Sequence, residues 1–188
     1  AFMPFTHTPF PGLYIFEPSV YPDERGYFFE SYNKKLFGEN QISCEFVQDN
    51  QSFSCYGVIR GLHFQKGPWA QSKLVRVLQG RILDVVVDLR AGSPGFGKTL
   101  GIELSSENKK QIFIPKGFAH GFSVLSETTE LSYKCDQYYN KQSEGGIRYN
   151  DARLNIDWKI AAGKALVSGK DTLLPEFDPD LELFKLTE

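Results

Sequence analysis

Apolar and polar residues alternate in short runs along most of the chain, and turn-forming residues separate the runs at roughly ten-residue intervals, the rhythm of an antiparallel sandwich or barrel. Residues 12–18 (GLYIFEP) read as a strand bounded by turns. Residues 21–33 hold a turn at Asp23-Glu24-Arg25-Gly26 followed by a short strand, and Pro22 assigns this stretch to a sheet edge, where a missing N–H is tolerated. Residues 33–38 fit one or two helical turns closed by Gly38. From Phe46 onward the strands come close together. Residues 58–65 (VIRGLHFQ) read as a buried strand. In residues 73–78, Lys73, Val75 and Val77 share one face and Leu74, Arg76 and Leu78 the other. A turn at Gln79-Gly80-Arg81 is expected to fold residues 82–89 back as the second arm of a hairpin, with Asp84, Val86 and Asp88 on one face and Leu83, Val85, Val87 and Leu89 on the other. Residues 91–98 (AGSPGFGK) are a loop, and residues 100–104, 111–114, 122–125 and 130–137 are further strands. After Asp157-Trp158 the pattern weakens. The tail is expected to hold one or two helices interrupted by Pro175 and Pro179.

Two of these strands carry lone imidazoles, His63 in VIRGLHFQ and His120 in residues 112–122 (IFIPKGFAHGF). Together they point to a pocket, and three uses stay open: metal binding, proton transfer or packing. Arg60 lies three residues before His63. The two have opposite parity, so they reach one pocket only if Gly61 allows a bulge or twist between them.

Bulk properties narrow the class. A chain of 188 residues with 41% hydrophobic and 23% charged residues fits one globular domain with a sizeable core. A net charge of −2 argues against a general nucleic-acid or membrane-surface binder. Cys44, Cys55 and Cys135 are widely spaced, odd in number and without a CxxC pair, which suits neither a disulfide framework nor a zinc knuckle and suggests a reducing, cytoplasmic setting. No apolar run reaches membrane-spanning length, and no secretory leader opens the chain. Ala1 and Phe2 precede the only methionine, Met3, and read as additions to the natural start.

The blocks VIRGLHFQ, KLVRVLQGRILDVVVDLR, IPKGFAHGF, YKCDQYYN and GGIRYNDARLNIDW, in this order, resemble the dTDP-4-dehydrorhamnose 3,5-epimerase family. The resemblance runs from DERGYFFE to Lys170-Asp171. It implies a mainly β, cupin-type jelly roll: an N-terminal arm and strands over 1–45, the roll over 46–158 and a tail with short helical segments over 159–188. The metal-binding cupin pattern is only half present. Pro115, Gly117 and His120 are there, but Gln65 stands where a second histidine would follow His63, and no carboxylate takes the third position. The family's reaction needs no cofactor or metal.

The resemblance also implies the roles. His63 is the base, with Asp171 as its dyad partner, and Gly169 stands where the family usually has an acidic residue. Tyr133 is the acid. Lys73 stabilises the oxyanion at C4 of the sugar. His120 and Asp84 form a supporting pair near the sugar. Arg60 suits the diphosphate. Arg25 and Lys170 match positions that contact the nucleotide or its phosphates; Gln48 and Asn50, with Asp49 between them, match the thymine and deoxyribose contacts; Glu30 and Glu144 match further ligand positions; and Tyr139 matches the aromatic that stacks on thymine. In the family the arm carrying Arg25 and Glu30 lies beside a partner subunit, so the expected partners are a dTDP-sugar and a second copy of the chain. Three readings compete with the double epimerase: a C3-only epimerase, a non-enzymatic sugar-nucleotide-binding cupin, and a metal-dependent cupin enzyme.

Overall fold

A computed structural model describes residues 4–186; Ala1 and Phe2 lie outside the described residues. The N-terminal part forms β1 (Phe5–His7), β2 (Tyr14–Phe16), the pair β3 (Tyr21–Asp23) and β4 (Gly26–Phe28), and helix α1 (Lys34–Glu39). Then come β5 (Gln48–Cys55), β6 (Val58–Gln65), β7 (Lys73–Gln79), β8 (Arg81–Asp88), β9 (Arg90–Ala91) and β10 (Thr99–Ser105). They are followed by β11 (Gln111–Ile114), β12 (Phe118–Val124), β13 (Thr128–Cys135) and β14 (Glu144–Gly146). The tail adds β15 (Leu166–Val167), the single-turn helix α2 (Gly169–Thr172) and β16 (Phe184–Lys185).

Two antiparallel sheets face each other, the sandwich expected of a jelly roll. One has six strands in the order β1-β2-β11-β7-β13-β5; the other runs β10-β8-β12-β6-β14, with β15 added beside β6. Inward residues of both sheets form the main core, with Val75, Val77, Ile112 and Leu131 from the first and Ile82, Val86, Phe118 and Phe122 from the second. The outer face of the second sheet is buried as well. Val85, Val87 and Leu89 pack there under Ile147, Leu154 and Trp158, so β8 is covered on both sides. That double burial is why its sequence is almost continuously apolar.

Three details differ from the sequence reading. β7 and β8 are not a hairpin: β7 pairs with β11 and β13, while β8 pairs with β10 and β12. The chain crosses between sheets at Gly80, whose φ is +82° and where a Cβ would lie 2.2 Å from the Thr128 carbonyl oxygen. Alternation specifies which face a residue takes, not which strand lies beside it. Gly38 lies inside α1 rather than closing it. Asn33 caps the start through its side chain, Asn40 caps the end, and Gln41 at φ 65° makes the reversal. Among the described residues the tail holds one helix, α2, within the one or two expected, but Pro175 and Pro179 lie beyond it in non-helical chain rather than interrupting it.

The bulge anticipated at Gly61 is present. Gly61 has φ +110°, and the ladder between β6 and β12 changes register between His120 and Phe122. The extra residue brings Arg60 and His63 into one cavity. A Cβ at Gly61 would sit 2.6 Å from the His120 carbonyl oxygen, so only glycine fits.

Candidate active site

At one end of the sandwich the two sheets part around a cavity of about 760 Å³. From the second sheet, His63 on β6 and His120 on β12 are direct cross-strand partners. From the first sheet come Tyr133 on β13 and Lys73 at the start of β7. Arg60, Asn50, Lys170 and Asp171 complete the polar wall. The parity that places Val75 and Leu131 in the core carries Lys73 and Tyr133 inward beyond them.

Each histidine is held by a carboxylate. His63 Nε2 lies 2.7 Å from Asp171 Oδ1, and Asp171 Oδ2 accepts the Gly61 backbone N–H at 3.1 Å. Asp171 is only 4% exposed, so its charge acts on the imidazole with little screening. Two local contacts fix it: the Ser168 hydroxyl accepts from the Asp171 backbone N–H, and β15 pairs in parallel with Val58 and Ile59 of β6. The tail is thereby stitched to the strand that carries His63. His120 Nε2 lies 2.8 Å from Asp84 Oδ2, with Asp84 fully buried. In both rings Nδ1 has no hydrogen-bond partner among the described residues.

Burial pushes the Tyr133 phenol pKa up, so the group stays protonated well above neutral pH. Burial pushes the Lys73 ammonium down. Its Nζ lies 5.8 Å from the centre of the Tyr133 ring. A neutral phenol and an ammonium thus stand on one wall and a carboxylate-backed imidazole on the other, a set able to move a proton at an acidic carbon and hold the resulting oxyanion. Among the described residues no three His, Cys, Asp or Glu side chains are placed to hold a metal ion.

A family model described as dTDP-4-dehydrorhamnose 3,5-epimerase matches residues 7–179. This chain belongs to the dTDP-4-dehydrorhamnose 3,5-epimerase family. It is 52% identical over 165 residues to the epimerase of Shigella flexneri, covering 87% of this chain and 90% of that one. The crystal structure of the epimerase from Elizabethkingia anophelis superposes with a TM-score of 0.88 at 56% identity, covering 92% of this chain and 95% of that one. The Legionella pneumophila epimerase, solved in complex with dTDP-4-keto-L-rhamnose, superposes with a TM-score of 0.91 at 45% identity over 98% of both chains.

The remaining residues singled out by the sequence resemblance fall into two groups. One is wired to the cavity rim. Gln48 Nε2 donates to Asn50 Oδ1 at 3.0 Å, and Gln48 Oε1 accepts the Tyr139 backbone N–H at 3.0 Å. The Tyr139 hydroxyl and the Lys170 ammonium both donate to Glu144 Oε2, at 3.1 and 2.7 Å. Burial pushes the Glu144 carboxyl up, but those hydrogen bonds outweigh it and hold the group below its ordinary range. The same hydrogen bond raises Lys170. The other group lies away from the cavity. Asp49 points to the opposite face of β5 and pairs with Lys134 at 2.9 Å. Arg25 sits on the exposed β3–β4 hairpin, paired with Asp23 at 2.6 Å. Glu30 accepts from Asn33 at 3.2 Å.

Two contributors escaped the sequence reading. The Ser54 hydroxyl accepts from Arg60 Nε and Nη2 at 3.2 and 3.1 Å and aims the guanidinium; only its parity with Asn50 and Ser52 on β5 could have pointed to it. Gln65, standing where a second metal histidine would be, uses its buried amide as a staple instead. It donates to the Trp69 and Tyr138 carbonyls and accepts from the Asn140 N–H, which holds the loop carrying Tyr139.

Proposed function

We propose that this cavity epimerises dTDP-4-dehydro-6-deoxy-D-glucose at C3 and C5, giving dTDP-4-dehydro-L-rhamnose. The observation that carries the reading is the pairing of a carboxylate-backed imidazole on one sheet with a protonated phenol on the other, across one cavity. The C4 ketone acidifies the hydrogens on C3 and C5. His63 takes one as a proton, the electron pair moves onto O4, and the Lys73 ammonium holds the enolate. Tyr133 then gives its phenolic proton to the carbon from the opposite face, which inverts the centre. Exchange with solvent returns a proton to the phenol and removes one from His63, and the second carbon follows. Asp171 holds the His63 ring and stabilises its cationic form; Asp84 and His120 line the sugar side. No cofactor enters these steps.

The nucleotide end of the substrate occupies the rim. Arg60 and Lys170 take the diphosphate, Gln48 and Asn50 the thymine and deoxyribose, and Tyr139, 55% exposed, stacks on the base. Asp49 supports this edge through Lys134. The β3–β4 hairpin exposes Tyr21, Tyr27 and Phe28 by 63, 59 and 66%, too much aromatic surface for a solvated hairpin. It packs against a second copy in a homodimer and brings Arg25 and Glu30 to that copy's nucleotide. Three free cysteines support a cytoplasmic setting. His63→Ala tests the assignment: product formation should vanish while dTDP affinity stays within a few fold. Near-normal turnover in that variant would remove His63 as the base.

A further inference from the structure

Two groups of opposite charge at the site lack partners among the described residues, one fully buried in Asp84 and one half-buried on the cavity wall at Lys73. Asp84 Oδ1 is fully buried and has no hydrogen bond, although Oδ2 of the same carboxylate holds His120. The Lys73 ammonium makes neither a hydrogen bond nor an ion pair among the described residues and has only the Tyr133 ring nearby, 5.8 Å from its centre. The two face each other across the sandwich. Lys73 shares the inward face of β7 with Val75 and Val77, and Asp84 shares the inward face of β8 with Ile82 and Val86. A bare, fully buried carboxylate oxygen is costly, and the half-buried ammonium facing it from the cavity wall is the donor it lacks.

We propose that Asp84 is a counter-ion divided between two catalytic groups: Oδ2 orients His120, and Oδ1 takes a hydrogen bond from the Lys73 ammonium, directly or over one water, when substrate fills the cavity. This assignment rests on the proposed role of Lys73 at the C4 oxygen. It makes Asp84 a positioning residue for the oxyanion stabiliser as well as for the histidine. An ammonium fixed in place and kept charged is ready for the enolate, whereas a free one in a desolvated cavity tends to lose its proton. The other charged or titratable groups around Lys73 are Cys135 and Tyr133 on β13, Glu144 on β14 and the cavity's His63, His120 and Arg60. The cavity also holds Lys170 and Asp171; Asp171 is engaged by His63 and Gly61 and Glu144 by Tyr139 and Lys170, which leaves Asp84 as the carboxylate with a bare buried oxygen among the described residues.

The pH dependence of kcat separates this from a role through His120 alone. Activity needs charged Lys73 and falls as pH rises through its pKa, so an alkaline limb is expected, and Lys73→Arg, whose guanidinium stays charged, should remove that limb. Removing the Asp84 charge lowers the Lys73 pKa, so Asp84→Asn should move the limb to lower pH by about one unit or more. The same shift should appear when Asp84→Asn is made in a His120→Gln background. A limb unchanged by Asp84→Asn, or a shift that disappears once His120 is replaced, overturns the proposal. Full turnover by Lys73→Met would instead defeat the assignment of Lys73 itself. Should Asp84→Asn fail to fold, a crystal structure of the native protein with dTDP-4-dehydro-L-rhamnose filling the cavity decides. The proposal requires Lys73 Nζ within about 3.2 Å of Oδ1, or both on one water, and is wrong if Oδ1 has neither.

Discussion

Replacing Asp171 with asparagine keeps the size of the side chain and removes its charge. The carboxylate meets the imidazole at 2.7 Å and is nearly inaccessible to water, so the charge centres lie roughly 4 Å apart in a medium of effective dielectric about 20. In the proposed mechanism the carboxylate at that distance stabilises the imidazolium formed on proton abstraction by about 4 kcal/mol, or roughly a thousandfold in rate. Hydrogen bonding acts in the same direction. Asp171 accepts from Gly61 N–H with one oxygen and meets His63 with the other, but asparagine has a single acceptor. If its oxygen stays on Gly61, its amide donates to His63 Nε2 and forces the proton onto Nδ1, the nitrogen left for the substrate. A protonated Nδ1 is no base. Asp171→Asn should therefore lower kcat by at least about a thousandfold, with a melting temperature within several degrees of the parent and dTDP affinity intact. The assay is product formation from dTDP-4-dehydro-6-deoxy-D-glucose, with dTDP titrated in parallel. A loss smaller than tenfold would refute both the charge and the tautomer argument.

Other consequences can be checked separately. Tyr133→Phe should retain exchange of substrate hydrogens with D2O while product falls by orders of magnitude, since the base survives and the acid does not; equal loss of exchange and product would reduce Tyr133 to packing. Gly61→Ala should destabilise the fold by about 3 kcal/mol or more, because its φ and the 2.6 Å approach to His120 both exclude a side chain; denaturant unfolding measures it. Leu131→Ala, at a position 1% exposed and away from the dyads, should cost about 2–5 kcal/mol of stability yet leave kcat of the folded fraction near the parent's. A thiol reagent at neutral pH should label exposed Cys55 quickly and spare Cys135, which is buried and whose thiol is pushed up to about 11 by that burial; rapid labelling of Cys135 in folded protein would contradict the packing.

Strands and their inward faces were legible in the sequence because a half-buried strand writes its orientation as period-two alternation, as in Lys73, Val75 and Val77. Strand partners were not legible. Nothing in the alternation of residues 73–89 says that β7 and β8 join opposite sheets, since a hairpin and a sandwich corner both need a glycine at the turn. The reach of Arg60 and His63 into one cavity was legible through parity and Gly61. Asp171 was visible only through the family resemblance. It lies 108 residues from His63, in a one-turn helix whose sequence would suit any capped loop, and its meaning comes from the pairing of β15 with β6. Ser54 and Gln65 carry polar side chains no different in type from those on any strand. Their roles depend on which backbone groups the fold brings within reach, a long-range property that no short window contains.

Incubation with dTDP-4-dehydro-6-deoxy-D-glucose in D2O, read by NMR, tests most directly whether protons are transferred at both carbons flanking the ketone. Deuterium should enter at both C3 and C5 of the product. Deuterium at C3 alone would identify a single-centre epimerase, and its absence from both carbons would contradict the whole catalytic account.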